Sequence, residues 1–146
     1  MKVKVKKLDE NAVIPTKANP EDAGLDLTAI SVDFQNQYIE YDTGLALEIP
    51  PGFMGLIFAR SSISKVPMDL CNAVGVIDSS YRGPVKLRFR RTKHSIFRNN
   101  QGDEYYKVGD RIGQLIILPY PEIVLDEVEE LCDTDRGSGG FGSSGN

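Results

Sequence analysis

The chain has 146 residues, the size of one ordinary domain, and its proportions of hydrophobic (40%) and charged (26%) residues are those of a globular protein with its own core. Its net charge of −4 gives no electrostatic reason to expect a nucleic-acid partner. A single histidine, and two cysteines (Cys71 and Cys132) without a CxxC motif, exclude a histidine-rich metal centre and a disulfide framework.

Alternation of apolar and polar residues with a period of two predicts β-strands along most of the chain. In chain order, the segments with one apolar face are residues 3–5, 45–49 and 85–89. Residues 53–59 and 112–118 are almost continuously apolar, which is typical of strands covered on both faces inside a sandwich or an oligomer core. Residues 122–128 are predicted to form a last strand.

The only helical signal is one turn near residues 61–65, and Pro-, Gly- and Asn-rich turns separate the predicted strands. Many short strands without a helical period predict an all-β barrel or jelly-roll sandwich. We expect one β-domain over residues 1–132, followed over residues 133–146 by a flexible C-terminal arm rich in Gly and Ser.

Neither a membrane nor a nucleic acid is predicted as a partner. The longest apolar run, residues 53–59, is far shorter than the ~18 residues of a membrane-spanning helix, and the N-terminal segment MKVKVKKLDE lacks an apolar leader region. Lys86, Arg88 and Arg90 alternate with apolar residues, which indicates a solvated strand face. We therefore expect an intracellular, cytoplasmic protein, with a nuclear or viral origin left open.

The last eleven residues, RGSGGFGSSGN, include five glycines, three serines, one arginine and one phenylalanine. Backbone N–H groups freed by glycine can wrap an anion, Arg136 can grip phosphate with its planar guanidinium, and Phe141 can lie on a flat ring. This arm therefore indicates a phosphorylated aromatic ligand, with a flexible, solubilising terminus as the alternative.

The segment GVIDSSYRG, residues 75–83, places a carboxylate and an aromatic ring three residues apart. Asp78 can orient and deprotonate a water molecule or accept a hydrogen bond from a sugar hydroxyl, and Tyr81 can offer its ring as a floor. The alternative is a plain β-hairpin with an aspartate turn and a packed tyrosine. Arg82 is expected to brace this turn through an ion pair.

Three shorter motifs each carry polar groups at a predicted strand end. In AGLDL, Asp26 lies between leucines and can cap a turn or hold the water shell of a metal ion. In ARSS, Arg60 and Ser61 follow an apolar strand with donors suited to phosphate. In GDRIGQ, Gln114 is polar within an apolar run and must find hydrogen-bond partners.

In this order, the motifs AGLDL, ARSS, GVIDSSYRG, GDRIGQLII and RGSGGFGSSG resemble the five motifs of the trimeric dUTP diphosphatase (dUTPase) family, over residues 23–145. The resemblance implies a distorted jelly-roll fold and a homotrimer whose active sites are shared between subunits. It also implies hydrolysis of dUTP to dUMP and pyrophosphate with Mg²⁺ as cofactor. Such a reaction clears dUTP from the nucleotide pool and supplies dUMP for dTMP synthesis.

The resemblance further implies a role for each matching residue. Asp78 would be catalytic, activating the water that attacks the α-phosphorus, and Tyr81 would pack beneath the deoxyribose and exclude a 2′-hydroxyl. Asp26 would bond waters around the metal ion, Arg136 would clamp the terminal phosphate, and Phe141 would cap the uracil. The other substrate-binding positions would be Asn72, Gly75, Val76 and Ile77 at the uracil edge, Arg60, Ser61, Ser62 and Gln114 at the phosphates, and Gly140, Gly142, Ser143 and Ser144 around the triphosphate.

The chain departs from the family pattern at three positions without a change of charge. Ser62 stands where the second motif usually has glycine, Leu25 where an aromatic residue is common, and Ser144 where threonine is frequent. Two alternatives to dUTP hydrolysis stay open. One is deamination of dCTP on the same fold, which would need a carboxylate aimed at the cytosine amino group near Asn72. The other is a module that binds dUTP without turnover.

Overall fold

The computed structural model describes residues 1–92 and 105–140. This part of the chain forms ten β-strands and one 3₁₀-helix and contains no α-helix. The strands are β1 (Lys4–Lys7), β2 (Leu25–Thr28), β3 (Ser31–Phe34), β4 (Ile39–Asp42), β5 (Leu45–Glu48), β6 (Phe53–Phe58), β7 (Met68–Leu70), β8 (Val74–Ile77), β9 (Lys86–Arg91) and β10 (Arg111–Pro119). The 3₁₀-helix, Ser61–Lys65, forms where the single helical turn is predicted, and the all-β prediction is confirmed. Among these residues no helix has the length and apolar character needed to cross a membrane.

The strands form two four-stranded antiparallel sheets and one two-stranded ribbon. The first sheet has the order β2-β10-β6-β8, the second has the order β3-β4-β9-β7, and β1 pairs with β5 in the ribbon. The chain passes from the second sheet at β7 to the first at β8 and back to the second at β9. The connections around β8 therefore lie between the sheets, where they can shape a pocket.

Buried aromatic rings form the centre of the core between the sheets. The ring of Tyr106 packs edge-on against Phe89 at 5.5 Å and Tyr41 at 6.1 Å between centroids. The hydroxyl of Tyr41 donates to the carbonyl of Tyr106 at 3.0 Å, and burial raises the pKa of Tyr41 to about 12. Along β9, Leu87 and Phe89 are buried while Arg88 between them is exposed, as the alternation predicts.

One strand prediction is confirmed in part and another is wrong. Residues 3–5 are predicted as a half-buried strand: β1 forms there with β5 as its partner, Val3 just before it is partly buried against the core, and Val5 is 36% exposed. Residues 122–128 form no strand, and Val124 and Leu125 are 86% and 91% exposed. A strand needs a partner with free backbone groups, and within the described chain this segment pairs with none.

The first sheet is covered on one face only. Its other face, here called the outer apolar face, consists of Met54, Leu56, Val76, Ile116 and Leu118. The strand register places Leu56 opposite both Ile116 and Val76, and Met54 opposite Leu118. Val76 is 62% exposed and Leu118 is 42% exposed. Residues 53–59 and 112–118 are therefore not covered on both faces within the sandwich of a single chain. The other prediction for them, a place in an oligomer core, would require another copy to cover the outer apolar face.

Candidate active site

A first pocket lies where the β7–β8 turn and the β8–β9 connection meet β9. It encloses about 550 Å³, within the range of small-molecule sites. Six residues predicted for the site line it, namely Asn72, Gly75, Val76, Ile77, Asp78 and Tyr81. The structure thus brings the residues predicted for base, sugar and water activation into one place, here called the Asp78 pocket.

A tight turn presents Asn72 at this pocket. The chain reverses between β7 and β8 with Ala73 at a φ of 57°, in the left-handed region, and the N–H of Ala73 donates to the carbonyl of Leu70 at 3.1 Å. In β8, a Cβ at Gly75 would lie 3.2 Å from the Cβ of Ile57 and 3.4 Å from the Asn72 amide nitrogen. Glycine therefore lets β8 approach β6 closely and leaves the Asn72 amide uncrowded.

The turn that follows β8 positions Asp78 and Tyr81, and residues 75–83 are not a hairpin, because β8 pairs with β6 while β9 pairs with β4 and β7. The N–H of Tyr81 donates to the carbonyl of Asp78 at 3.0 Å, and its hydroxyl donates to the carbonyl of Pro84 at 3.1 Å. Arg82 braces this turn as predicted, but it does so by donating to the carbonyls of Ser79 and Tyr81 at 2.6 and 2.9 Å.

The ring of Tyr81 lies against the backbone of Gly83. A Cβ at position 83 would be 2.6 Å from Cζ and 2.9 Å from Cε2 of the ring, closer than any real Cβ contact. Tyr81 is nevertheless 45% exposed. Its ring is therefore limited on one side by Gly83 and tethered at its hydroxyl, while much of its surface stays accessible to a ligand.

Charged residues of the second sheet form another wall of the Asp78 pocket. Glu40 accepts hydrogen bonds from Lys86 Nζ and Arg88 Nε, both at 2.8 Å, and the Arg88 guanidinium lies 4.6 Å from the ring centroid of Tyr38. The hydrogen bond from Lys86 holds the pKa of Glu40 below its ordinary value, although burial opposes this effect. Alternation correctly predicts that Lys86 and Arg88 are exposed, but it cannot show that their face borders a pocket.

A second pocket, of about 300 Å³, contains Asp26, Arg60, Ser61 and Gln114 in its lining and is here called the Arg60 pocket. Asp26 Oδ1 accepts from Arg60 Nε at 2.8 Å, and Asp26 Oδ2 accepts from Arg111 Nη1 at 2.9 Å. Two guanidinium groups therefore contact one carboxylate. Only Arg60 lines the pocket itself, beside the carboxylates of Asp22 and Asp26, so Arg60 is the cation placed to meet a phosphate group.

The sequence predicts no role for Arg111, and a β-bulge explains why. Ile112 and Gly113 are both buried, and the register of β10 against β2 shifts between Arg111 and Gly113. Strict alternation would place Arg111 and Gln114 on opposite faces of the strand. The sequence signal for Arg111 is its place beside Gln114 in the GDRIGQ motif. Gln114 finds the partner that its position demands, donating from Nε2 to the carbonyl of Ala59 at 3.3 Å.

Ser62, which lines neither pocket, lies near a buried tyrosine at the start of the 3₁₀-helix. Burial raises the pKa of Tyr106, while the Ser62 hydroxyl and the positive charge of Arg60 oppose that rise. Ser62 therefore contributes to the buried surroundings of Tyr106 rather than to the lining of either pocket.

Residues 133–140, the described part of the C-terminal arm, line neither pocket. Arg136 Nε donates to the carbonyl of Gly139 at 3.0 Å, and the N–H of Gly137 donates to the carbonyl of Thr134 at 2.9 Å. Arg136 and Gly140 are exposed, so a single chain does not bring them to the other predicted residues. Four further predicted residues lie outside the described part of the chain: Phe141, Gly142, Ser143 and Ser144.

Two packed β-sheets, a pocket with a carboxylate and a tyrosine, and a second pocket with an arginine, a serine and a glutamine define a β-sandwich protein suited to a phosphorylated ligand with a ring. The family model for dUTPase matches residues 10–145. The chain belongs to the dUTPase family, which confirms the resemblance seen in the five motifs.

Curated relatives match over almost the whole chain. A deoxyuridine 5′-triphosphate nucleotidohydrolase from Nautilia profundicola is 40% identical, and the match covers 99% of each chain. One with the same name from Arabidopsis thaliana is also 40% identical, with 97% of this chain and 82% of the relative covered.

Solved structures agree with the fold. The dUTPase of Staphylococcus bacteriophage 80alpha, determined as a mutant with dUpNHpp, superposes with a TM-score of 0.84 at 28% identity and 99% coverage of both chains. A mutant dUTPase from phage phi11 of S. aureus gives a TM-score of 0.74 at 26% identity, covering 89% of this chain and 98% of that one. The predicted jelly-roll fold of the dUTPase type is confirmed.

Proposed function

We propose that this protein hydrolyses dUTP to dUMP and pyrophosphate in a Mg²⁺-dependent reaction in which Asp78 activates the attacking water. Relatives at 34–40% identity over nearly the full chain carry the name deoxyuridine 5′-triphosphate nucleotidohydrolase. The observation that carries the proposed mechanism is the turn that places Asp78 and Tyr81 in one pocket with Asn72.

The Asp78 pocket supports the assignment of the base and sugar. Asn72 offers an amide donor and acceptor beside the β8 backbone, the pattern needed to read the edge of a pyrimidine. The tethered ring of Tyr81 provides a floor for the deoxyribose, and a 2′-hydroxyl would have to displace it. Asp78 is exposed at the same pocket, where its carboxylate can accept a proton from water aligned with the α-phosphorus.

The Arg60 pocket supports the assignment of the phosphates. Because Asp26 engages only the Nε of Arg60, the terminal nitrogens of Arg60 have no hydrogen-bond partner among the described residues and can donate to phosphate oxygens. Ser61 and Gln114 add neutral donors to the same lining. Arg60 supplies the positive charge of this lining and a hydrated cation at Asp26 would add more, because neutralising phosphate charge is the main demand of phosphoryl transfer.

Mg²⁺ fits this pocket through water rather than through direct protein ligands. Among the described residues no three metal-ligating side chains cluster, and both oxygens of Asp26 already accept a hydrogen bond. Each oxygen keeps a second lone pair for a water molecule of a hydrated ion. When bound with the triphosphate, the ion would neutralise phosphate charge and orient the leaving pyrophosphate.

The two pockets share no lining residue, and we infer that they are joined between copies in a homotrimer. Asp26 and Gln114 lie opposite each other in the register of the first sheet, and Gln114 is two residues from Ile116 of the outer apolar face. Covering that face with another copy would bury it and bring a neighbour to the edge of the Arg60 pocket. The exposed apolar residues of the segment 122–128 offer further surface for a neighbouring copy.

We infer that residues 133–146 act as an arm that closes over the triphosphate and that residues 1–132 form the domain. Ordering about ten arm residues costs on the order of 10 kcal/mol of backbone entropy, whereas stacking Phe141 on one base returns roughly 1–3 kcal/mol. Charge-assisted bonds to phosphate return about 1.5–3 kcal/mol each, so several phosphate contacts are needed for closure. The arm should therefore close on dUTP and stay open on dUMP.

The direct test measures pyrophosphate release from each dNTP and from UTP, with and without Mg²⁺, for the wild type and Asp78→Asn. We expect Asp78→Asn to keep dUMP binding and to lose most turnover of dUTP. Asp33→Asn is the matched control, because Asp33 is an exposed aspartate on β3 that lines neither pocket. Near wild-type turnover in Asp78→Asn would refute the role of Asp78. Ammonia release from dCTP, or dUTP binding without pyrophosphate release, would instead favour the two alternative activities.

A further inference from the structure

The turn between β7 and β8, which presents Asn72 at the Asp78 pocket, is a four-residue β-turn. The carbonyl of Leu70 accepts a hydrogen bond from the N–H of Ala73 at 3.1 Å, so Cys71 and Asn72 are its two central residues. Turns of type I and type II differ by a rotation of the peptide group between these central residues. The rotation changes the sign of φ at the third residue of the turn, here Asn72, which is positive only in type II.

The sequence of this turn is compatible with both forms. In the structure Asn72 has a negative φ, because Ala73 is the one residue other than glycine with a positive φ in the part of the chain that the structure describes. The type II form is therefore not the one adopted. Asparagine nevertheless tolerates a positive φ better than most residues, and it is accepted at the third position of type II turns. A contact that holds the central peptide would decide between the two forms.

Arg90 of β9 makes such a contact. Its Nη2 donates to the carbonyl of Cys71 at 3.1 Å, and this carbonyl belongs to the central peptide. The N–H of Cys71 donates to the carbonyl of Arg88 at 2.9 Å, which ties the first half of the turn to the β9 backbone. Rotation of the central peptide would point its carbonyl away from Arg90, and the charge-assisted hydrogen bond would be lost. The side chain of Arg90 therefore favours the form that the structure shows.

The direction of this peptide matters because its two polar groups have opposite hydrogen-bonding character. In a trans peptide they point in opposite directions, so a carbonyl held by Arg90, which lines neither pocket, leaves the N–H of Asn72 on the other side. Cys71 and Asn72 themselves line the Asp78 pocket. Rotation would exchange a donor for an acceptor there. Uracil and cytosine differ by the same kind of exchange, since an acceptor at O4 of uracil is replaced by a donor at N4 of cytosine.

We propose that Arg90 is a positioning residue, which holds the Cys71–Asn72 peptide in the orientation that favours uracil over cytosine. This inference rests on the proposed function, because it places the pyrimidine of dUTP beside Asn72. Arg90 contacts the turn and does not line the pocket, so it acts on the base through the peptide that it holds. Without Arg90, the rotated form would become more populated, and that form would bind uracil less well and cytosine better.

The test is Arg90→Met, which keeps most of the length of the side chain and removes its donors. We expect the ratio of kcat/KM for dUTP to that for dCTP, measured by pyrophosphate release, to fall about 3- to 10-fold, the value of one hydrogen bond. Arg90→Lys should lose less, because its ammonium group can donate to the same carbonyl. A ratio in Arg90→Met that stays within about threefold of the wild type, or an equal loss in both variants, would overturn the proposal.

Arg91→Met is the matched control, because Arg91 is an exposed arginine on the same strand that lines neither pocket. Its ratio should equal that of the wild type, which separates the hydrogen bond of Arg90 from the loss of a positive charge near the nucleotide. A fall as large as that of Arg90→Met would refute the proposal.

The rotation itself is tested in the background of Asn72→Ala. Alanine disfavours the positive φ of the rotated form, so adding Arg90→Met to Asn72→Ala should change the ratio less than it does in the wild type. An equal change in both backgrounds would refute the rotation. A wild type that does not hydrolyse dUTP would refute the proposed function and this inference together. A wild type that prefers dUTP to dCTP, with an unaltered ratio in Arg90→Met, would refute this inference alone.

Discussion

The contact between Gly83 and Tyr81 allows a substitution outside the pocket lining to test the proposed sugar floor. In Gly83→Ala, the new Cβ would lie 2.6 Å from the ring carbon Cζ. Ordinary carbon contacts begin near 3.4 Å, so the ring must move by about 0.8 Å. That movement also strains the hydrogen bond from the Tyr81 hydroxyl to Pro84, which is worth about 1 kcal/mol.

A shift of this size at a substrate-positioning group costs up to about 100-fold in rate. We therefore expect kcat/KM for dUTP to fall about 10- to 100-fold in Gly83→Ala, while kcat/KM for UTP falls less, so that the preference for the deoxyribonucleotide shrinks. The assay is steady-state pyrophosphate release from both nucleotides, with a thermal unfolding curve to show that the fold persists.

The background of Tyr81→Ala provides the control for this substitution. Without the ring, the methyl group of alanine at position 83 has nothing to displace, and adding Gly83→Ala should leave the kinetics of Tyr81→Ala unchanged. An unaltered ratio of dUTP to UTP turnover in Gly83→Ala would refute the reasoning that the ring, held by Gly83, selects the sugar. An equal additional loss in the Tyr81→Ala background would show that Gly83 acts by another route.

Three further predictions concern other parts of the molecule. Arg111→Gln should raise KM for dUTP about 2- to 10-fold, because Asp26 loses one of its two guanidinium partners; an unchanged KM in steady-state kinetics would refute this. Glu40 has a lowered pKa, chiefly through its hydrogen bond from Lys86. Its charged form therefore stabilises the fold at neutral pH, and this stabilisation is lost as the pH falls through the carboxyl range. The difference in melting temperature between the wild type and Glu40→Gln should close on acidification from pH 7 to about 3. Leu118→Glu should split the proposed trimer and abolish turnover, as measured by light scattering and pyrophosphate release, and an intact, active trimer would contradict the role proposed for the outer apolar face.

The local pattern of the chain was sufficient to predict the class of fold. Along β9, Leu87 and Phe89 are buried and their polar neighbours are exposed, because a strand alternates its side chains between two faces. The 3₁₀-helix also lies where a helical turn is predicted. Order and spacing of short motifs identified the family, since five matches in sequence leave little room for coincidence.

Long-range geometry was beyond the pattern. Alternation cannot reveal the bulge that turns Arg111 towards Asp26, because one inserted residue reverses every side chain before it. Nor can it show that residues 122–128 find no partner strand among residues 1–92 and 105–140, because a strand is defined by a partner elsewhere in the chain. The individual roles of the site residues stay predictions, since they depend on a ligand and on neighbouring copies.

If the Asp78 pocket and the Arg60 pocket are joined between copies, as proposed, their separation within one chain would have a genetic consequence. When each active site combines pockets from different copies, a variant defective in one pocket and a variant defective in the other can restore activity in a mixed oligomer. Some of its active sites then combine the two intact pockets. Conversely, a single defective copy can inactivate active sites that it shares with wild-type copies. Inheritance of such defects would then depend on the stoichiometry of assembly as well as on the lesion itself.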